Sequence, residues 1–476
     1  MYKQNEKARV YVIKKAHLVL PLFLYFQLSL AFSCKPTEIY NICDSRSNFF
    51  YIVVNAKLTG LDRSNFCNFR VDQTRVSSPR FLPKPGTYTS PQSVRITNDD
   101  AEATVYYTTD GSIPNASSPV FKEPFLIPEQ AGTIFQAIAI KPGTTDSEVV
   151  QAIYSYSLVK TGQIISYAAN DDGALQKGSP RNYTGPSAPS AYPADHITRE
   201  NTMGIIWKSC TQGFSGATCV TAVSGNQFTF ADASLECSNM NSLNAGAGFA
   251  GFKTWRLPTM TELLSTNDAS KTSFTLSATT ELPVTFNFAY WSSTPYPFNT
   301  GFAWYLDYSN GNSYATFNTN NNYHARCVAS SSFREGFYFT VNTDGTVFDR
   351  KTGLLWQRCA IGQNNDATCS GSASPRTWTQ GLSECAQLTL AGKTWRLPNR
   401  NELASLYNYA LNSAPFIDRT TFPNVGTSTS EHHWTSTTDA INTTRAWYVN
   451  FTSTINNIYD SSVKTTGYFV RCVADN

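Results

Sequence analysis

Six residues are written twice in this chain, and whatever the fold is, it must accommodate them twice. Lys253-Thr254-Trp255-Arg256-Leu257-Pro258 returns as Lys393-Thr394-Trp395-Arg396-Leu397-Pro398, and a Glu-Leu pair follows each Pro at the same distance, Glu262-Leu263 and Glu402-Leu403. The flanks repeat as well. Trp207-x-x-Cys210 matches Trp356-x-x-Cys359, Glu236-Cys237 matches Glu384-Cys385, and Arg326-Cys327-Val328-Ala329 matches Arg471-Cys472-Val473-Ala474. Trp291 and Trp304 recur at the same spacing as Trp434 and Trp447. A period of this length identifies one domain used twice, and it is read before any local detail.

Length and charge narrow what surrounds the repeat. At 476 residues the chain has room for about three domains on a prior of ~150 residues each. It holds 37 basic and 34 acidic residues, a net charge of +3, and only 15% of its residues are charged. That balance excludes a polyelectrolyte built to bind nucleic acid. Abundant Ser, Thr, Asn and Gly beside 25 Tyr, 30 Phe and 9 Trp suit an exported strand-and-loop protein.

The amino terminus predicts that export. Lys3, Lys7, Arg9, Lys14 and Lys15 precede an uncharged run from Leu18 to Phe32, too short for a comfortable membrane span and shaped like a secretory signal peptide over residues 1–33. Leu30-Ala31-Phe32-Ser33-Cys34 resembles a bacterial lipobox, with a bulky residue where stricter examples have Ala or Gly. The resemblance implies that Cys34 is lipidated and anchors the protein to the cell envelope, at the outer membrane or cell surface. Cysteine arithmetic agrees. Of eleven cysteines, four fall in each repeat (Cys210, Cys219, Cys237, Cys327; Cys359, Cys369, Cys385, Cys472), Cys43 and Cys67 can pair locally, and Cys34 is left over. In an oxidising compartment pairing is the default. With no C-x-x-C in the chain, a zinc ribbon or thioredoxin-like site has no support.

Residues 34–78 read as a short segment tied by Cys43 and Cys67. From 79 to 158 short alternating runs, such as Ser93-Val94-Arg95-Ile96-Thr97 and Thr133 to Ala139, are punctuated by Asp110-Gly111 and Pro142-Gly143, which predicts an all-β sandwich. Pro85-Gly86-Thr87-Tyr88, Tyr106-Tyr107-Thr108-Thr109-Asp110-Gly111-Ser112-x-Pro114 and Phe135 to Ala139 resemble the chitobiase or hexosaminidase carboxy-terminal module. In those enzymes it is an accessory, so the resemblance implies no activity. Asp110-Gly111 is expected to be a tight turn.

Within each copy, 160–331 and 333–476, β material precedes a short helix carrying Cys237 or Cys385. Thr377-x-x-Gln380 marks the start of that helix in the second copy, and Thr259-x-x-Glu262 and Asn399-x-x-Glu402 mark a further helix in each. Strands around Trp291, Trp304 and Ser313 to Phe317, with a turn at Asn310-Gly311, predict a hairpin. The expected class is multi-domain, an all-β sandwich followed by two α+β domains.

Trp-Arg-Leu-Pro-x-x-x-Glu-Leu, Trp-Ser-Ser or Trp-Thr-Ser, Ala-Trp-Tyr and the closing Arg-Cys-Val, with a leader of Thr161-Gly162-Gln163, Asp171 to Gly178 and Pro180-Arg181, resemble the Lcl carboxy-terminal domain family, named after a collagen-like adhesin. Its likeness to C-type-lectin-like and sulfatase-modifying folds implies bridges Cys237–Cys327 and Cys385–Cys472, leaving Cys210–Cys219 and Cys359–Cys369 local. Counting alone permits three connectivities per copy.

Chemistry is sparse. The five histidines cluster only at Glu431-His432-His433, where adjacent strand residues point to opposite faces and cannot readily meet one ion. The first copy has Ala289-Tyr290 there, so a function shared by both copies cannot use these histidines. The repeat cysteines are all assignable to disulfides, which weighs against a cysteine-dependent oxidase of the sulfatase-modifying type. Calcium-lectin signatures are missing, and the repeated tryptophans read as core. The family's adhesin is associated with sulfated glycosaminoglycans, which need clustered Lys or Arg; the copies lack a basic run. The expectation is therefore a non-enzymatic surface lipoprotein without cofactor or metal, adhesin-like, whose partners are carbohydrate, extracellular matrix or envelope components and the membrane through its lipid, with no nucleic acid. The rival is a structural envelope protein. No ligand-contact residue is assigned.

Overall fold

The computed structural model describes residues 75–476 apart from 128–130, 223–225, 272–279, 284–285, 287, 298, 330–335, 426–430 and 453–457. The expected signal peptide, Cys34 and the Cys43–Cys67 pair lie outside the described residues, as does the short amino-terminal segment up to residue 74.

The expected sandwich is present. β1 (Arg80–Leu82), β3 (Gln92–Thr97) and β5 (Phe125–Ile127) form one sheet; β2 (Gly86–Tyr88), β4 (Thr104–Thr108), β6 (Ile134–Ile140) and β7 (Val150–Tyr156) form the other in the order β2-β7-β6-β4. Alternation in the sequence becomes alternation in burial: Val94 and Ile96 face inward while Ser93 and Arg95 face out. Phe125 stacks on Phe135 at 4.2 Å and Tyr154 meets Phe135 edge-on at 6.2 Å, a geometry that aromatic quadrupoles favour. Asp110-Gly111 is the expected turn, with Gly111 at φ +83° and the Asp110 carboxylate accepting from the Ser112 amide.

In the first copy β8 (Tyr183–Ser187), β9 (Ile197–Glu200) and β10 (Ile205–Lys208) lead to a small hairpin, β11 (Phe214–Ser215) and β12 (Thr221–Ala222). Helix α1 (Phe230–Asn239) carries Cys237; β13 (Trp255–Arg256) is the repeated word, and α2 (Met260–Ser265) follows it. β14 (Ala289–Pro295), β15 (Phe302–Asp307) and β16 (Asn312–Phe317) make the expected antiparallel meander, and β17 (Val328–Ala329) sits between β13 and β10. The second copy repeats this with β18 (Phe339–Val341), β19 (Thr346–Asp349), β20 (Leu354–Gln357), α3 (Trp378–Gln387), α4 (Arg400–Ala404), the meander β21 (His432–Thr438), β22 (Arg445–Asn450), β23 (Tyr459–Val463), and β24 (Val473–Asp475).

Helix starts follow their sequence signals. Thr259 with Glu262, Thr377 with Gln380 and Asn399 with Glu402 each form a reciprocal capping box, satisfying two otherwise orphaned amides per helix. Disulfides join Cys237 to Cys327, Cys385 to Cys472, Cys210 to Cys219 and Cys359 to Cys369. This is the pairing implied by the family resemblance, and it ties each helix to the last strand of its copy.

The sandwich and the two copies pack on each other rather than hanging in series. The Tyr156 amide donates to the Lys351 carbonyl at 2.7 Å and the Ser155 hydroxyl to the Arg350 carbonyl at 2.7 Å. Gly353, at φ +76°, passes so close to Thr87 and Ser155 that a Cβ there would collide with the Thr87 hydroxyl. Between the copies, Trp304 meets Tyr409 edge-on at 5.3 Å and the buried Arg400 guanidinium donates to the Asn267 side chain at 2.9 Å.

One placement differs from the sequence reading. The leader, expected to open the first copy, bridges both. Arg181 donates to the carbonyls of Ser265 and Asn267 in the first copy. Toward the second, Asp172 accepts from the Thr437 hydroxyl at 2.7 Å, Gln163 accepts from the Thr438 amide at 2.8 Å, and Lys177 pairs with Asp475 at 2.5 Å. Polar residues without periodicity give no hint of which neighbour they will join.

Candidate functional site

The repeated word is a frame. In the second copy Arg396 forms a two-pronged ion pair with Glu402, 2.6 and 2.7 Å, and the same carboxylate accepts the Asn399 amide at 2.8 Å. In the first copy Arg256 and Glu262 do likewise at 2.8 and 2.7 Å, with Thr259 donating at 2.8 Å. The Pro carbonyl that ends each word receives a meander amide, Ser293 to Pro258 and Ser436 to Pro398, both at 2.7 Å. The tryptophans are core, as the sequence implies: Trp255, Trp291, Trp304, Trp395, Trp434 and Trp447 are all buried. Trp291 and Trp434 spend their indole N–H on backbone carbonyls, Phe228 and Arg376. None of these groups is disposed to meet a ligand.

The histidines divide. His196 is half-buried and takes a backbone contact from Ala194 at 3.2 Å. His324 is buried, stacked on Phe286 at 4.2 Å and bonded to the Asn226 carbonyl at 2.6 Å. His432 packs against Tyr448 and Tyr468, whereas His433 faces Phe451 and Phe469, so strand alternation does separate the two rings. Among the described residues there is no group of three or more His, Cys, Asp or Glu able to hold a metal ion, and all eight repeat cysteines are in disulfides.

The copies disagree around one buried arginine. In the first copy the buried Arg326 donates to the Thr211 hydroxyl at 3.1 Å, Thr211 and Tyr290 share a hydrogen bond of 2.9 Å, and the Tyr290 oxygen accepts the Phe286 amide at 2.9 Å. The second copy has Ala360 for Thr211 and His433 for Tyr290. Both hydroxyls are gone. Arg471, fully buried at the position of Arg326, still donates Nη1 to the Gln357 carbonyl at 2.8 Å; its Nε and Nη2 have no hydrogen-bond partner among the described residues, and its guanidinium lies over the Phe422 ring at 4.7 Å instead.

Beside this lies a cavity of about 430 Å³ whose wall includes Ala360, Gln363, Ser372, Glu431, His433 and Phe469. The His433 ring nitrogens have no conventional hydrogen-bond partner among the described residues; the Glu431 carboxylate stands 3.5 Å away. Burial lowers the pKa of His433, opposed by the contact with Glu431 and reinforced by the charge of Arg471. The rim is stiff. Gln363 accepts from the Ala360 amide at 2.8 Å, and Asn424 donates to the carbonyls of Cys369 and Gly371, both at 2.8 Å.

A second cavity, where the sandwich meets both copies, is lined by Tyr156, Tyr407, Tyr409, Tyr459 and Arg400 but encloses only about 110 Å³. That is below the ~300–1,000 Å³ of ordinary ligand pockets. The sequence reading singled out the His432-His433 difference between copies only as a possible metal site. The missing hydroxyls at Ala360 and His433 were visible in the aligned copies, but their meeting at one arginine was not.

Residues 196–329 and 345–474 match the family described as the Lcl C-terminal domain, and residues 83–151 match the chitobiase/beta-hexosaminidase C-terminal domain. The family match begins after the leader, in keeping with the leader's place between the copies. No curated protein matches the chain. The four disulfides among the described residues fit an extracellular or periplasmic setting. Among the described residues no helix is long and apolar enough to cross a membrane.

Proposed function

Because the chain belongs to the Lcl C-terminal domain family, we propose that it is a lipid-anchored, non-catalytic binding protein of the bacterial cell surface, acting on carbohydrate, matrix or envelope components. The carrying observation is the use to which the repeated residues are put. Tryptophans, ion pairs and cysteines are consumed in building a stiff, doubly stapled scaffold, while the loops at its edge line a cavity beside His433. Rigid frames with variable loops are how recognition domains are built.

The test is a glycan and matrix-component array probed with the mature chain, alongside mass spectrometry of the unreduced native protein after thiol alkylation. Saturable binding, an acylated Cys34 and no alkylated repeat cysteine are the expected results. A structural envelope protein is the second reading, favoured by the close fit of the sandwich to the second copy at Gly353. It predicts acylation without saturable binding to any array component. A free thiol in either copy contradicts both readings and reopens oxidase chemistry.

A further inference from the structure

We infer that the cavity where the sandwich meets both copies is a binding site for a small inorganic anion such as chloride, held by Arg400. This goes beyond the recognition role proposed above and does not depend on it.

The argument begins at another position where the copies differ. Arg400 follows the capping residue Asn399 as Met260 follows Thr259. Their backbone amides do the same job: Met260 donates to the Thr294 hydroxyl at 2.9 Å and Arg400 to the Thr437 hydroxyl at 3.0 Å. Met260 is fully buried in the core, so the frame accepts an apolar side chain here. The second copy puts a guanidinium in that place, 2% exposed. Taking a cation out of water is costly unless it is paired, and among the described residues no carboxylate forms an ion pair with Arg400. Its Nη2 donates to the Asn267 side-chain oxygen at 2.9 Å, and its Nη1 has no hydrogen-bond partner among the described residues. The Trp447 ring lies 5.0 Å from the guanidinium carbon. A ring so placed answers the charge through its face, but it leaves the N–H bonds, which lie in the guanidinium plane, without an acceptor. Asn267 adds to the surplus. Because arginine only donates, Asn267 turns its oxygen to Arg400, and its own Nδ2 is left without a partner among the described residues.

Arg400 lines the cavity. Tyr409 and Tyr459, in the same wall, share a hydrogen bond of 2.7 Å, which uses one of their two hydroxyl protons and leaves the other. The carboxylate in the wall, Asp349, is turned onto its own loop, where it accepts the Lys351 amide at 2.9 Å and the Thr352 hydroxyl at 2.6 Å. Burial, reinforced by the charge of Arg181, lowers the pKa of Arg400 to about 10, against the pull of Tyr459, Asp172 and Asp268, so the guanidinium stays charged at neutral pH. Size and charge then select the ligand. About 110 Å³ is too small for a sugar ring but has room for one halide ion and two or three waters at ~30 Å³ each. A cation would meet Arg400, and a neutral molecule would leave its charge unpaired. The wall draws on all three modules through Tyr156, Ser265 and Tyr459, so the ion fastens the sandwich and the two copies to one another.

Two measurements on the mature chain test this. Crystals grown in sodium bromide are examined for anomalous scattering, and urea unfolding is followed while sodium gluconate, too large for the cavity, is replaced by sodium chloride at constant ionic strength. Arg400→Met, which installs the first copy's residue, accompanies the wild type; with its buried cation gone, its midpoint in gluconate should equal or exceed that of wild type. Expected are a bromide peak within hydrogen-bond distance of Arg400 and a wild-type folding equilibrium constant that rises about tenfold for each tenfold of chloride once the site is occupied. Arg400→Met should show no such rise. The inference is overturned by waters alone at the site, by an equal chloride response in the two proteins, or by a bromide peak without a chloride response, which marks an adventitious ion only. If Arg400→Met does not fold, the bromide map and the chloride response of the wild type decide between these outcomes.

Discussion

Glu402→Gln tests whether the repeated word owes its sequence to a buried ion pair. The side chains of Arg396 and Glu402 are 7% and 3% exposed, whereas Arg256, the counterpart in the first copy, is 24% exposed beside a fully buried Glu262. Gln retains one acceptor for the Asn399 amide, so the helix cap survives and the change isolates the charge. Two unit charges about 4 Å apart attract by about 4 kcal/mol at an effective dielectric of ~20. Asp475, at 2.9 Å from Arg396 but half-exposed, recovers about 1 kcal/mol. The net loss is about 3 kcal/mol, at the low end of the ~3–5 found when a buried pair loses one member. Glu262→Gln should cost about 1–2 kcal/mol, because Arg256 can reach water. Urea unfolding followed by tryptophan fluorescence measures both. Adding Arg396→Met to Glu402→Gln should restore at least half the loss, since position 396 then holds no buried charge without its partner. Equal losses in the two copies, or a loss under about 1 kcal/mol for Glu402→Gln, would refute the reasoning.

Two further outcomes follow from the same structure. Burial raises the pKa of Asp172 from 3.8 to about 6, with the Thr161 and Thr437 hydroxyls opposing the rise. A carboxyl whose folded value lies above its unfolded value stabilises when protonated, so its contribution is full below pH ~4 and lost as pH rises to ~6. Unfolding free energies of wild type and Asp172→Asn from urea titrations should diverge across that window by about 3 kcal/mol and run parallel above it; parallel curves throughout would sink the assignment. Removing the Cys385–Cys472 bridge, which spans 87 residues, should cost about 4–5 kcal/mol, against about 3 kcal/mol for Cys359–Cys369, which spans 10. The opposite order, measured on the paired Ala variants, would contradict the loop-entropy account.

What could be read from the chain was what repeats or what alternates. Glu262 and Glu402 announce their capping role because a Ser, Thr, Asp or Asn three residues earlier is a local signal. Their pairing with Arg256 and Arg396 is not announced, since the chain turns at the intervening Pro and no periodicity links those positions. The tryptophans were legible as core because they keep the repeat's register. The cavity was half legible. Comparing the copies shows His433 against Tyr290 and Ala360 against Thr211, but Thr211 and Tyr290 are 79 residues apart, and only folding shows that they answer to one arginine. The destination of the leader was invisible, because its partners lie in the copy farther along the chain.

That leader sets an order of events. Asp172 and its partner Thr437 are separated by 265 residues, and non-local contacts of this kind form late because closing the intervening loop is entropically costly. A chain emerging amino terminus first exposes the strap long before the meander that receives it. The first copy must therefore complete its sheet and disulfides with one flank still open, and the assembly closes only when the final strands arrive. Arrest anywhere before Thr437 leaves Asp172, Gln163 and Lys177 without their partners in the second copy, so a chain cut at the boundary between the copies is an unfinished object rather than a shorter protein.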